Sequence, residues 1–310
     1  MMSIDMLTLI LSVELIVGNL GNGFIALVNC IAWARRRKIS WVDQILTALA
    51  ISRIGLLCSA LTNMLIFSLH PPILVVVILI RIITILWAVT SHFSIWLATS
   101  LSIFYFLKIA NLSNSIFLYL KWRIKKVISV TLMVSLVLLF VNILLMNTSI
   151  DSLIDGSKRN MSYISSSKNY TQFPRLLITI NIIFLSTPFT ISLLACLLLI
   201  LSLWKHHKKI QHNGIGSRDA NTKAYVKALQ TVIAFLLLYV ICFLSVLIQI
   251  WHSDFLEKSL LIFFCRAAII AFPSGHSYVL ILTNTHLRQA ALSVLWWLRC
   301  RCKDAKPQGT

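Results

Sequence analysis

The sequence predicts an all-α membrane protein, a bundle of seven transmembrane helices with its N-terminus outside and its C-terminus in the cytoplasm. Three observations carry this. The 310 residues are 58% hydrophobic and only 12% charged, about half the charged fraction of an ordinary soluble domain. Residues 54–80, 82–107, 127–150, 176–204 and 228–253 hold no Asp, Glu, Lys or Arg, and each run reaches the ~20 residues that cross a bilayer core as a helix. None alternates with the two-residue period of a barrel strand, so helices satisfy the backbone in lipid. Finally, twenty of the 28 basic residues fall at 35–38, 108–126, 205–227 and 288–306. Those are alternate connections and the tail, the pattern of cytoplasmic segments. The net charge of +19 therefore orients the chain in a membrane and does not point to nucleic acid.

The whole chain, 1–310, reads as one bundle domain. The first span, 7–34, is interrupted only by Glu14. No basic region precedes it, so it reads as a span and not as a cleaved leader. Its "GNLGNG" glycines lie inside an apolar helix with no strand before them, which excludes a dinucleotide loop. The second span, 43–69, stops at His70-Pro71-Pro72 and carries Arg53 about nine residues in, roughly 14 Å deep. A charge there costs at least about 2.5 kcal/mol on insertion scales, so Arg53 is expected to face the bundle and find partners. Asn22, one helix away, is the candidate, as a structural staple, as part of a switch, or as both.

The third span, 76–107, places Trp87, Ser91, Ser94, Ala98, Leu101, Tyr105 and Lys108 at steps of four and three. One face thus runs from an aromatic and hydroxyl patch outside to a Tyr and a Lys inside, a mixture suited to lining the bundle interior. The fourth span, 125–147, leads to a polar outer loop, 147–174, with glycosylation acceptor patterns at Asn147, Asn160 and Asn169; Asn160 and Asn169 are the candidates. The fifth span, 175–204, contains Pro188, which removes a backbone donor and favours a kink. The basic connection to the sixth span, 225–251, reads either as a loop facing anionic headgroups or as a docking surface for a cytoplasmic partner.

The seventh span, 259–287, holds Arg266 in its outer half and "PSGH" at Pro273–His276. That tetrapeptide belongs to membrane lipid phosphatases, whose phosphate cradle also needs an Arg-Pro motif and a later Ser-Arg. The chain has no Arg-Pro, and no Ser-Arg follows His276. Nor is there a zinc-protease HExxH, a Walker sequence or a paired acidic site, so the chain is expected not to be an enzyme and to need no cofactor or metal. Five of the seven cysteines fall within spans; the other two, Cys300 and Cys302, lie in the tail, 288–310, where they are palmitoylation candidates. No outer disulfide framework is possible.

Seven spans and short termini suggest a receptor, and specific residues resemble the taste receptor type 2 family across nearly the whole chain. They are "GNGFIALVNCIAW", "ALAISRIGLL", "WLATSLSIFYFLKIANLSNSIFLYLKWRI", "PFTISLLACLLLILSLWKHHKKI", "GSRDANTKAYVKAL" and "HSYVLILTNTHLRQA". The resemblance implies a G-protein-coupled receptor of the plasma membrane that binds small bitter compounds from outside and activates a gustducin-type heterotrimeric G protein. It implies a ligand site at Trp87, Thr90 and Ser91, with Asn63, Ser245, Gln249, Arg266 and Ile269 around it. Asn22, Arg53, Tyr105, Pro188, Tyr239, Cys242, His276 and Ser277 would form the activation switch. Lys108, Lys205, His206, Lys227 and Leu229 would meet the G protein. The chain departs from the family pattern at Ser91 for Asn, Cys242 for an aromatic, Tyr225 for His and His286 for Lys, and Tyr239 is the candidate to stand in for the aromatic missing at Cys242. The rival readings are a type 1 vomeronasal receptor, which the inner-loop and HSxxL matches disfavour, and a transporter, whose repeat symmetry and broken helices are not seen.

Overall fold

A computed structural model of the chain describes residues 4–35, 40–69, 73–110, 112–159, 169–212, 220–251 and 260–304. Among them are α1 (Ile4–Ala34), α2 (Trp41–Leu69), α3 (Ile73–Ile109), α4 (Ser115–Trp122), α5 (Ile124–Arg159), α6 (Asn169–His212), α7 (Ala220–Trp251), α8 (Leu260–Thr283) and α9 (Thr285–Asp304), and no strand. Six of these helices, α1, α2, α3, α5, α6 and α8, have spans long and apolar enough to cross a membrane, and α7 contributes the shorter apolar stretch Val232–Ile248. The architecture is the seven-helix bundle that the sequence predicts. Large apolar side chains such as Leu20, Val137, Phe140 and Leu237 are exposed along the spans, where lipid is their solvent.

Packing closes a ring from α1 through α2, α3, α6, α7 and α8 back to α1, with α5 set against α3 and α6. Close approach at two crossings depends on glycine. A Cβ on Gly18 of α1 would stand 2.1 Å from Ser274 Oγ of α8, and one on Gly55 of α2 would stand 2.8 Å from Thr90 Cγ2 of α3. Small residues let helix backbones approach where lipid offers no hydrophobic drive to association.

The inner ends begin with side-chain caps. Ser40 and Asp43 cap α2 reciprocally, Ser40 Oγ donating to Asp43 Oδ2 at 2.7 Å and accepting from Asp43 N at 3.2 Å, the capping-box arrangement. Asn114 accepts from Ile116 N at 2.9 Å and starts α4. Asn284 accepts from His286 N at 2.9 Å and so ends α8 and starts α9 at one residue.

Two connections are more helical than the sequence suggests. The expected outer loop, 147–174, is helical to Arg159 and again from Asn169, because a helix keeps its hydrogen bonds internal and need not stop at the membrane surface. Likewise the tail after residue 287 is the helix α9, seated by Leu287 and Ala291 on the main core. Asn160 lies outside the described residues, and Asn169 is the first residue of α6.

Candidate functional site

Arg53 is the largest fully buried side chain, with 0% of its surface exposed. Its Nε donates to Ser94 Oγ of α3 at 3.4 Å, and one terminal nitrogen donates to Ser277 Oγ of α8 at 2.9 Å. The other terminal nitrogen lies 2.6 Å from His276 Nδ1. A guanidinium has no acceptor, so Nδ1 accepts and the His276 proton sits on Nε2. These partners are all neutral; the one ion pair among the described residues is Arg81–Asp151, between the outer ends of α3 and α5. The charge at mid-membrane therefore has no counter-ion among the described residues.

Ser277 extends the network. Its hydroxyl proton points toward both Asn22 Oδ1 at 2.6 Å and Pro273 O at 2.8 Å, and Asn22 Nδ2 donates to Gly18 O at 2.8 Å. Donors thus run one way, from Arg53 through Ser277 and Asn22 into the α1 backbone, an arrangement in which each bond polarises the next. The predicted pairing of Arg53 with Asn22 is indirect: Ser277 stands between them because α8 packs against both α1 and α2.

An aromatic cluster adjoins this polar group. Phe272 holds Arg53 over its ring at 5.8 Å and stacks on Tyr239 at 5.2 Å. Phe235 lies 4.7 Å from the His276 ring and 5.6 Å from Tyr239, whose other side meets Phe189 at 5.1 Å. The Tyr239 hydroxyl is buried with no hydrogen-bond partner among the described residues. Cys242, one turn on, is buried in the same core. Thus Asn22, Arg53, His276, Ser277, Tyr239 and Cys242 all fall within one connected region.

Pro188 belongs to a second junction. The helix α6 continues through it, and Thr99 Oγ1 of α3 donates to Pro188 O at 3.4 Å and shares a 2.8 Å hydrogen bond with Ser192 Oγ. Thr99 and Ser192 were missed by sequence reasoning; Ser192, four residues after Pro188, was the available signal. Asn29 was missed too, although it stands two turns after Asn22. It donates to Thr47 Oγ1 at 3.0 Å and ties α1 to α2 near the inner ends. Tyr105 is half-buried further inward and meets Phe104 at 5.8 Å, outside the Arg53 network.

The outer residues are arranged differently. Thr90 Oγ1 donates to Leu86 O at 2.7 Å, Ser91 Oγ to Ala88 O at 3.1 Å and Ser245 Oγ to Ile241 O at 2.7 Å, each on its own helix. Trp87 and Ile269 are half-buried, whereas Asn63 and Arg266 are exposed. Arg266 has no hydrogen-bond or ion-pair partner among the described residues. The predicted α3 stripe is buried only at Ser94, Ala98 and Leu101; Trp87, Ser91 and Tyr105 are half-buried and Lys108 is exposed. Lys205 is exposed and Leu229 half-buried at the inner end. The side chains of Gln249, His206 and Lys227 lie outside the described residues.

No group of three or more His, Cys, Asp or Glu able to hold a metal occurs among the described residues. Arg53 is thus a buried cation set among neutral hydrogen-bond partners and aromatic rings.

Comparison with known proteins agrees with the motifs. Residues 1–299 match the family model for taste receptor protein, TAS2R. The chain is 57% identical to rat (Rattus norvegicus) taste receptor type 2 member 125 over 95% of its own length and 94% of that protein's. It is 55% identical to taste receptor type 2 member 14 of Macaca mulatta, covering 97% and 95% of the two chains. Rat taste receptor type 2 member 117 is also 55% identical, over 97% and 94%. Near-complete coverage, the seven-helix bundle and the motifs around Arg53 and His276 agree: this chain belongs to the taste receptor type 2 family of G-protein-coupled receptors.

Proposed function

We propose that the protein is a bitter receptor of the plasma membrane. It admits small bitter compounds to the outer half of the bundle and activates a gustducin-type heterotrimeric G protein at the cytoplasmic face. The observation that carries this reading is the layout of α3, which joins three zones on one helix. Trp87, Thr90 and Ser91 lie outward, Ser94 accepts from Arg53 one turn below, and Tyr105 and Lys108 lie at the inner end. Thr90 also packs where a Gly55 Cβ would be, two residues from Arg53 on α2. An agonist that displaces Thr90 therefore presses on the helix that carries the buried cation.

The mechanism is a population shift: a compound bound better by one helix arrangement draws the bundle toward it. Arg53, Asn22, His276 and Ser277 supply the rearranging polar contacts. Tyr239, with an unpaired buried hydroxyl, takes the part of the aromatic absent at Cys242, since a shifted arrangement that gave it a partner would gain about 1–3 kcal/mol. Lys108, Lys205, His206, Lys227 and Leu229 form the G-protein surface. Arg266 favours anionic or strongly accepting agonists through charge-assisted bonds.

The test is calcium mobilisation in cells supplying a taste-type G protein, challenged with a panel of bitter compounds. A response that weakens in Trp87→Ala at equal surface expression is expected. Silence across the panel from receptor present at the surface would count against the reading. For Arg266, an unchanged potency ranking of carboxylates and sulfonates in Arg266→Gln would remove it from the ligand site.

A further inference from the structure

Glu14 is a charged group that the polar network does not use. Of the nine acidic residues, Asp43 caps α2 and Asp151 pairs with Arg81, both at the ends of spans. Glu14 lies inside one, about five residues past the start of Leu9–Ala34, which is about 8 Å into the apolar layer from outside. The other six fall outside the spans. Glu14 is half-buried and has no hydrogen-bond or ion-pair partner among the described residues. An ionisable side chain at that depth is costly unless a group of opposite charge meets it.

Helical register shows which way it faces. Gly18 of α1 meets Ser274 of α8, and Gly21 meets the ring of Tyr278, so the two helices run parallel with position 14 level with position 270. Around the α1 axis Glu14 falls between Gly18 and Gly21, opposite Ala267 and Ala271 of α8. Those are two small side chains that do not cover a carboxyl. The Tyr278 hydroxyl closes the inner end of this seam, donating to Val17 O at 2.8 Å. Its outer flank is apolar and open to lipid: Ile10, Val17 and Phe264 are all exposed. Arg266 does not fill the seam. By register it shares the face of Ile270 and Ser277, which contact Leu57 and Arg53 of α2, and it forms no ion pair with Glu14.

We propose that the seam between α1 and α8 is a docking site for an amphiphilic amine dissolved in the outer leaflet. Its ammonium bonds to Glu14, and its apolar body lies along Ile10, Val17 and Phe264. An ammonium brings both the opposite charge and the N–H donors that a carboxylate accepts, whereas a neutral alcohol brings a donor without the charge. The site is separate from the outer cavity offered to bitter compounds and stands without that reading. A bound amine lies about two turns outward of the bond between Ser277 and Asn22, and so bears on the spacing of the same two helices.

The experiment uses the purified full-length receptor in phosphatidylcholine nanodiscs with a dodecylamine carrying a diazirine near its nitrogen. After irradiation, labelled peptides are identified by mass spectrometry. Label is expected around residues 10–17 and 264–271, above the level on the lipid-facing side of α5, which reports the probe's simple partition into lipid. Glu14→Gln should lower the seam signal about tenfold, as for loss of a hydrogen bond to a charged group. Glu14→Asp should keep part of it, and Arg266→Gln should leave it unchanged. In the unaltered receptor, excess N,N-dimethyldodecylamine should compete and excess dodecanol should not, a result that does not depend on any variant folding. Seam labelling no higher than that of α5, an equal signal in Glu14→Gln, or equal competition by dodecanol would each overturn the proposal. So would labelling that emerged only in Arg266→Gln, which would mean that Arg266 already engages the carboxylate.

Discussion

At mid-membrane the hydroxyls of Ser94 and Ser277 bond across helices to Arg53, and Asn22 completes a chain that ties α8 to α1. At the outer end, Thr90, Ser91 and Ser245 turn the same kind of group back to carbonyls of their own helices. Both arrangements satisfy the donors, but their consequences differ. A cross-helix bond fixes the spacing of two elements, so losing it loosens the fold; a back-bonded hydroxyl holds nothing together and can be lent to a ligand at small cost. On the proposed reading the inner region stores a helix arrangement and the outer region senses a molecule.

The most severe way to break this contrast is Arg53→Ala. It leaves a cavity and strands Ser94, Ser277 and His276, an expected loss of about 3–5 kcal/mol, read as a fall in thermal unfolding temperature and in both surface expression and agonist response. If expression and response both survived, the polar network would have no part in stability or switching. Next is Gly18→Ala, whose added Cβ would meet Ser274 Oγ at 2.1 Å and Leu57 Cδ1 at 2.9 Å. It should cost about 1–3 kcal/mol through overpacking. Adding Ser274→Gly should recover part of that, and failure to do so in a thermal melt would place the strain elsewhere.

Thr99→Val sharpens the comparison at smaller amplitude. Removing its bond to Ser192 should cost about 0.6 kcal/mol, the average for an interhelical hydrogen bond in a membrane. The weakest expected effect on stability is that of Ser91→Ala, below about 0.5 kcal/mol because no other helix depends on that hydroxyl. Yet agonist potency in the calcium assay should move. A variant that melted early with unaltered potency would reverse the roles assigned to the two regions.

The sequence makes the inner region partly legible because a lone Arg in an apolar run must find partners, and Asn22 was the candidate one helix away. Their order of connection was not legible: which of two neighbouring helices supplies the bridging hydroxyl is decided by crossing geometry, and here α8 inserts Ser277 between Arg53 and Asn22. Thr99 and Ser192 escaped notice because Ser and Thr are frequent in these spans and their hydroxyls usually back-bond, as at Thr131 and Ser135. The seven spans follow from hydropathy, whereas α4 and α9 do not. Their helicity rests on caps at Asn114 and Asn284 and on core contacts by Phe117 and Leu287, and neither kind of signal is apolar enough to show in a charge-free run.

Arg81 and Asp151 pair at the outer ends of α3 and α5, on the side where the connections between spans hold no cysteine. The outer end of the helix bearing Trp87 is therefore linked to its neighbour by a bond that a thiol reductant leaves untouched. Ionic strength does reach it, since both side chains are solvent-accessible and exposed pairs are screened by salt. Raised salt is therefore expected to loosen this tie between the outer ends of α3 and α5.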